Sequence, residues 1–155
     1  AANRAATARA LAEVISPSEK SLCFTAGLLQ DMAIPLLAHG NPSGYRSLLA
    51  SKGASADLAD AERGTYGWDH ADVAGWLSET WDFPEPLKNA IIGHHGGEGP
   101  TAVCITALLD DGAERDDIVE RARTSFGIKS DAIVAALVRG AEDSGPLALL
   151  LAPSR

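Results

Sequence analysis

Apolar residues recur along this chain at three- and four-residue spacing, and nowhere at the two-residue spacing of a half-buried strand. Ala1 to about Val14 has neither Gly nor Pro, and its alanines predict one helix. Ser16-Pro17-Ser18-Glu19 has the form of a helix start. Ser16 can cap, Pro17 suits the first helical position and Glu19 completes a capping box. Leu22, Cys23, Ala26, Leu29 and Ala33 then share a helical face. Pro35 cannot donate a backbone hydrogen bond, which predicts a kink or an end near Ala33 or Ile34. Gly40-Asn41-Pro42 marks a turn, a short helix fits Ser43 to Lys52 with Gly53 closing it, and Ser55 can cap the next, to about Arg63.

Trp68-Asp69 opens a further helix, in which Asp69 suits the N-cap and Val73, Leu77 and Trp81 fall on one face. That face predicts burial of Leu77 and Trp81, together with Ile91 and Leu28 from neighbouring helices. Pro84 and Pro86 interrupt the pattern and restart it. Leu87, Ala90, Ile91 and His94 share the next face. Gly96-Gly97 and Gly99-Pro100 separate it from a helix reaching about Leu109, which Asp111-Gly112 breaks. Two more helices fit Asp116 to Thr124 and Asp131 to Asp143, the second capped by Ser130, and a short one follows Pro146. The expectation is an all-α fold, a single compact multi-helix domain of seven to ten helices.

Composition narrows the class. A length of 155 residues suits one domain with a real core. With 21 acidic residues against 13 Lys and Arg, the net charge of −8 argues against binding nucleic acid or an anionic membrane. No apolar run is expected to match a bilayer-spanning helix, and no basic-then-apolar leader is visible, so a cytoplasmic location is expected. The abrupt start at Ala1 suggests a fragment of a longer protein. Cys23 and Cys104 each sit in an apolar helical pattern and read as reduced core thiols; they lack the close spacing of a zinc site.

Four histidines offer chemistry: His39, His70, His94 and His95. His39 beside a turn reads as a surface or C-cap residue. His94 and His95 are adjacent, and on a regular helix such side chains point about 100° apart. From spacing alone a buried or capping pair is a simpler reading than a metal site, although an irregular helix end would bring the two closer. Asp31 lies in an apolar helix beside the Pro35 break. A carboxylate there needs a partner, because burying it bare is costly. An imidazole is the partner expected, from His70, His94 or His95.

Three segments together resemble a family. Phe24-Thr25-Ala26-Gly27-Leu28-Leu29-Gln30-Asp31 resembles the Gly-Leu-Leu-His-Asp signature of HD-type domains. Glu62, then Tyr66-Gly67-Trp68-Asp69-His70-Ala71-Asp72-Val73-Ala74-Gly75-Trp76-Leu77, then Trp81-Asp82-Phe83-Pro84 and Ile91-Ile92-Gly93-His94-His95 follow the order of the HDOD pattern. HDOD domains are HD-related output domains, degenerate relatives of HD and HD-GYP phosphohydrolases. The resemblance implies an HD-like helical fold over residues 1–155 and a non-catalytic bacterial signalling module that binds a protein partner or small ligand. Receiver, GAF or GGDEF-type domains are the implied partners. It also implies a vestigial metal or ligand pocket of Asp31, His70, His94, His95 and Gln30. Gln30 stands where a metal-binding histidine would be, and an amide is a far poorer ligand for a transition metal than imidazole. Ile34 stands about where cyclic-dinucleotide phosphodiesterases carry a lysine, and Asp110 is a candidate for the late aspartate. No cofactor is expected, and a divalent metal only weakly held. The competing expectation is a metal-dependent phosphohydrolase acting on a nucleotide or cyclic dinucleotide, with Asp31, His70, His94 and His95 as ligands.

Overall fold

A computed structural model of the chain describes residues 1–51, 58–95, 98–110 and 114–151. The breaks expected at Gly53, Ser55, Gly96-Gly97 and Asp111-Gly112 lie outside them, as does the Asp110 side chain. The described residues form ten α-helices and no strand: α1 (Ala2–Ile15), α2 (Lys20–Leu29), α3 (Ala33–Gly40), α4 (Pro42–Ser51), α5 (Leu58–Tyr66), α6 (His70–Thr80), α7 (Glu85–Ile92), α8 (Thr101–Ala107), α9 (Arg115–Phe126) and α10 (Ser130–Leu151).

The fold is organised around α1. It packs along α10, α2 and α8. Arg4, Ala5, Ala6, Thr7, Ala8, Ala10, Leu11 and Ala12 are all buried, so the helix is covered on nearly every side. Its alanines matter for their size as well as their helix propensity, because small side chains let neighbouring backbones approach. At Gly27 of α2 an added Cβ would lie 3.0 Å from both the Ala8 Cβ and the Arg4 carbonyl oxygen. At Gly140 of α10 it would lie 2.6 Å from the Thr7 Cα. Leu11, Cys23, Val103, Ile105, Ile118 and Ile133 fill the main core that these helices share with α8 and α9. A second, smaller core of Ala33, Ala74 and Ile91 lies where α3, α6 and α7 meet.

Several local expectations need correction. The Ser16–Glu19 capping box does not form; Pro17–Glu19 make a single 3-10 turn and Ser16 makes no capping side-chain bond. The break before Pro35 comes earlier, at Gln30–Met32, and Pro35 sits in the first turn of α3. A first-turn N–H has no partner inside its own helix, so proline costs little there. Ser130 is the first residue of α10, which runs through Pro146 instead of restarting after it. Glu142, four residues before that proline, is exposed, so its freed carbonyl can turn to water. Trp81 is 52% exposed and Leu28 and Leu77 are only partly covered, while Ile91 is fully buried. Trp81 is the C-cap of α6, and Asp82 after it has a φ of 54°, so the helical spacing no longer places its ring on the α6 face. The ring packs instead beside Phe83, with centroids 5.7 Å apart.

Residues 17–40 are, contrary to expectation, long and apolar enough to cross a bilayer by composition. In the fold they are two helices and a turn, and the turn carries Gln30 and Asp31. Both polar side chains have partners within the protein, Thr106 for Gln30 and Arg4 for Asp31.

The close approach of α1 and α10 is measurable. Gly140→Ala should destabilise by about 1–3 kcal/mol in urea unfolding, because the new methyl meets backbone at Thr7. Gly64→Ala on α5, where no atom lies within 4 Å of the added Cβ, should instead stabilise by about 0.5–1 kcal/mol.

Candidate functional site

The pocket is built from helix ends and turns. The α2–α3 turn supplies Gln30 and Asp31, α1 supplies Arg4, and α4 and α5 supply Tyr45 and Glu62. The N-terminus of α6 supplies His70, and the turn after α7 supplies His94 and His95. Asp69 fixes the start of α6 as its N-cap. Its side chain accepts from the Ala71 and Asp72 backbone N–H groups at 2.8 and 3.0 Å, and the Asp72 carboxylate accepts from the Asp69 N–H at 3.0 Å. Arg63 forms an ion pair with the other Asp69 oxygen. Asp69 therefore serves the helix, as its position in sequence suggested.

Glu62 is fully buried and makes the strongest contacts here. Its Oε2 accepts from the His70 backbone N–H at 2.8 Å and from His70 Nδ1 at 2.6 Å. Its Oε1 accepts from the buried Tyr45 hydroxyl. Burial alone would raise the Glu62 pKa, but the bonds from His70 and Tyr45 outweigh it and hold the carboxyl below its usual value. Burial, then the Glu62 bond, pushes the Tyr45 phenol far above its ordinary range. Tyr45 is thus a donor held in place by a carboxylate.

These bonds aim the imidazoles. With its Nδ1–H donated to Glu62, His70 presents Nε2 to the pocket. His94 donates Nδ1–H to the Ile91 carbonyl at 2.6 Å and so also presents Nε2. His95 Nε2 lies 2.8 Å from His70 Nε2, and one nitrogen on each of His70, His94 and His95 lies within 4.8 Å of the others. The adjacent pair converges because α7 ends at Ile92, so His94 and His95 occupy a turn and not a regular helix; their ring centroids are 4.0 Å apart. Gly93 makes that turn possible. An added Cβ there would meet the Gly99 nitrogen at 2.5 Å, where the chain folds back. The Cys104 thiol braces both strands of the turn, 3.6 Å from the Gly93 and Gly99 carbonyl oxygens.

Asp31 joins this group, but not in the way expected. Its Oδ1 lies 3.6 Å from His70 Nε2 and 3.9 Å from His94 Nε2, close to both and beyond a direct hydrogen bond to either. Its close partner is Arg4, whose guanidinium forms an ion pair with Oδ2. The imidazole predicted as nearest partner is second to an arginine. Gln30 is fully buried and accepts from the Thr106 hydroxyl of α8 at 3.2 Å, while its Nε2 has no partner among the described residues. His39 is exposed and stands apart. Cys23 and Cys104 are buried free thiols, and burial raises the Cys23 pKa to about 11.

The sequence did not single out Arg4, Tyr45 or Thr106, and gave Glu62 a place in a pattern without a role. One signal was available for Arg4: a charge set among alanines, on a helix that is to be buried, needs a partner as much as Asp31 does.

As a metal centre the pocket divides. Three imidazoles, two with their tautomers fixed by second bonds, suit a borderline divalent cation. The acidic side does not: the Asp31 carboxylate is held by a guanidinium, and the position for a further histidine is a glutamine bonded elsewhere. The set does not fit a complete phosphohydrolase metal centre.

A family model described as HDOD domain matches residues 1–96 of the chain. The match spans Arg4 to His95, hence every pocket residue except Thr106. No curated protein and no solved structure matches the chain.

Two outcomes are expected at this pocket. Glu62→Ala should cost about 3 kcal/mol or more in urea unfolding, since it strips the bonds from His70 and Tyr45. The second concerns acid. His94 has its pKa lowered from 6.5 to about 2, first by burial and then by the neighbouring His95. Below pH 6.5 the unfolded chain takes up a proton that the folded chain refuses. The stabilisation is therefore full above that pH and is lost as pH falls toward 2, by up to about 1.4 kcal/mol per pH unit. Unfolding free energies between pH 6.5 and 4.5 should fall less steeply in His94→Gln than in the wild-type protein.

Proposed function

Because this chain belongs to the HDOD family, whose members are HD-related output domains, we propose that it is a non-catalytic signal-transduction module that binds a protein partner or small ligand and relays a conformational signal. The observation that carries this reading is the Arg4–Asp31 ion pair. In a hydrolytic centre the carboxylate holds a metal that activates water and neutralises phosphate charge. Here a side chain has taken the carboxylate, and Gln30 bonds to Thr106. The remaining polar groups hold α4, α5, α6 and the turn after α7 together, so the pocket ties four segments of chain to one another. By the same reading the partners are signalling domains of receiver, GAF or GGDEF type, the setting is a bacterial cytoplasm, no resident cofactor is needed and a divalent metal binds weakly.

One observation favours the second reading, a metal-dependent phosphohydrolase acting on a nucleotide or cyclic dinucleotide: the convergence of His70, His94 and His95 with Asp31 beside them.

The two readings separate in an assay. The purified protein should turn over neither cyclic dinucleotides nor simple phosphate esters with manganese, iron, magnesium or zinc added. Robust hydrolysis that is lost in Asp31→Ala would replace the adaptor reading with the phosphohydrolase.

A further inference from the structure

We propose that Arg4 acts as a tethered cation that takes the place of a metal ion at Asp31, so that the charge of this carboxylate is balanced by the chain itself. The inference rests on the non-catalytic reading and gives it a physical cause. Arg4 is 5% exposed and its guanidinium meets Asp31 Oδ2, while Oδ1 of the same carboxylate faces His70 and His94 at 3.6 and 3.9 Å. Asp31 thus lies between a fixed cation on one side and two imidazole nitrogens on the other.

The backbone delivers Arg4 to this place. Its carbonyl lies against Gly27, where even a methyl group would approach to 3.0 Å, and Gly27 is three residues ahead of the turn that carries Asp31. The contact fixes α1 against α2 within one helical turn of the carboxylate. The choice of arginine matters as well. A guanidinium stays protonated at any accessible pH, and its planar fork matches a carboxylate. A divalent ion drawn by the three imidazoles meets that fixed positive charge across a poorly screened distance. To reach Asp31 it must displace Arg4, which breaks an ion pair made by a buried guanidinium. The pocket therefore favours the state with Arg4 in place, and a metal is left with the histidines alone.

Zinc affinity, measured by competition with a chromogenic chelator, tests the idea on the wild-type protein, Arg4→Gln and Arg4→Gln combined with Asp31→Asn. Wild-type binding should be weak. Arg4→Gln should bind zinc at least about tenfold more tightly, by 1.4 kcal/mol or more, and the double variant should lose that gain because no carboxylate remains to be released. Circular dichroism checks the fold of each variant; if Arg4→Gln does not fold, Arg4→Met, which keeps the stem packing, replaces it. Equal affinity in the wild-type and Arg4 variants, a gain that persists without Asp31, or stoichiometric zinc on the wild-type protein under chelator competition would each overturn the role of Arg4. Phosphoester turnover by the wild-type protein would instead overturn the adaptor reading, so the two failures are separable.

Discussion

A carboxylate with no access to water must find all its hydrogen bonds inside the protein, and Glu62 does so with three donors. Two come from His70, its backbone and its ring, and the third is the Tyr45 hydroxyl. The consequence spreads outward. The backbone bond fixes where α6 begins, beside the Asp69 cap. The ring bond fixes the His70 tautomer and points Nε2 at His95 and Asp31. The Tyr45 bond ties α4 to α5 and α6. Removing the charge at Glu62 would leave a buried ring, a buried phenol and a helix start all short of a partner.

The second constraint is the packing of α1. A helix of small side chains lets α2 and α10 approach to backbone contact at Gly27 and Gly140. Close approach is usually discussed as a matter of core density, but here it also sets electrostatics. Only a helix packed that tightly brings a guanidinium from the first turn of the chain to a carboxylate 27 residues later with almost no solvent between them. Packing and charge balance are the same feature seen at two scales.

The pocket consequently has two faces of different character. On one, His70 and His94 are held with Nε2 inward by a carboxylate and a carbonyl at Nδ1, as histidines that bind metals usually are. On the other, Arg4 pairs with Asp31, the carboxylate that faces their Nε2 atoms. The combination sets three converging imidazoles beside a carboxylate whose charge is met by the chain itself.

The sequence by itself determined the helical class, most of the element order and the Asp69 cap, because those depend on spacing and on side chains within one turn of each other. It also marked Asp31, His70, His94 and His95 as one group, through a family resemblance and not through spacing, which favoured a plain histidine pair. Tertiary structure decided the rest. Whether Trp81 is buried depended on where α6 stops, and the position of the Pro35 break depended on which turn of a helix tolerates a missing N–H. Above all, the partner of Asp31 lay 27 residues away on a helix whose own pattern says only that it is helical. Local periodicity records which face of a helix is apolar; it carries no information about which buried charge on another element will meet it, since that is set by the distance and angle at which the two helices pack.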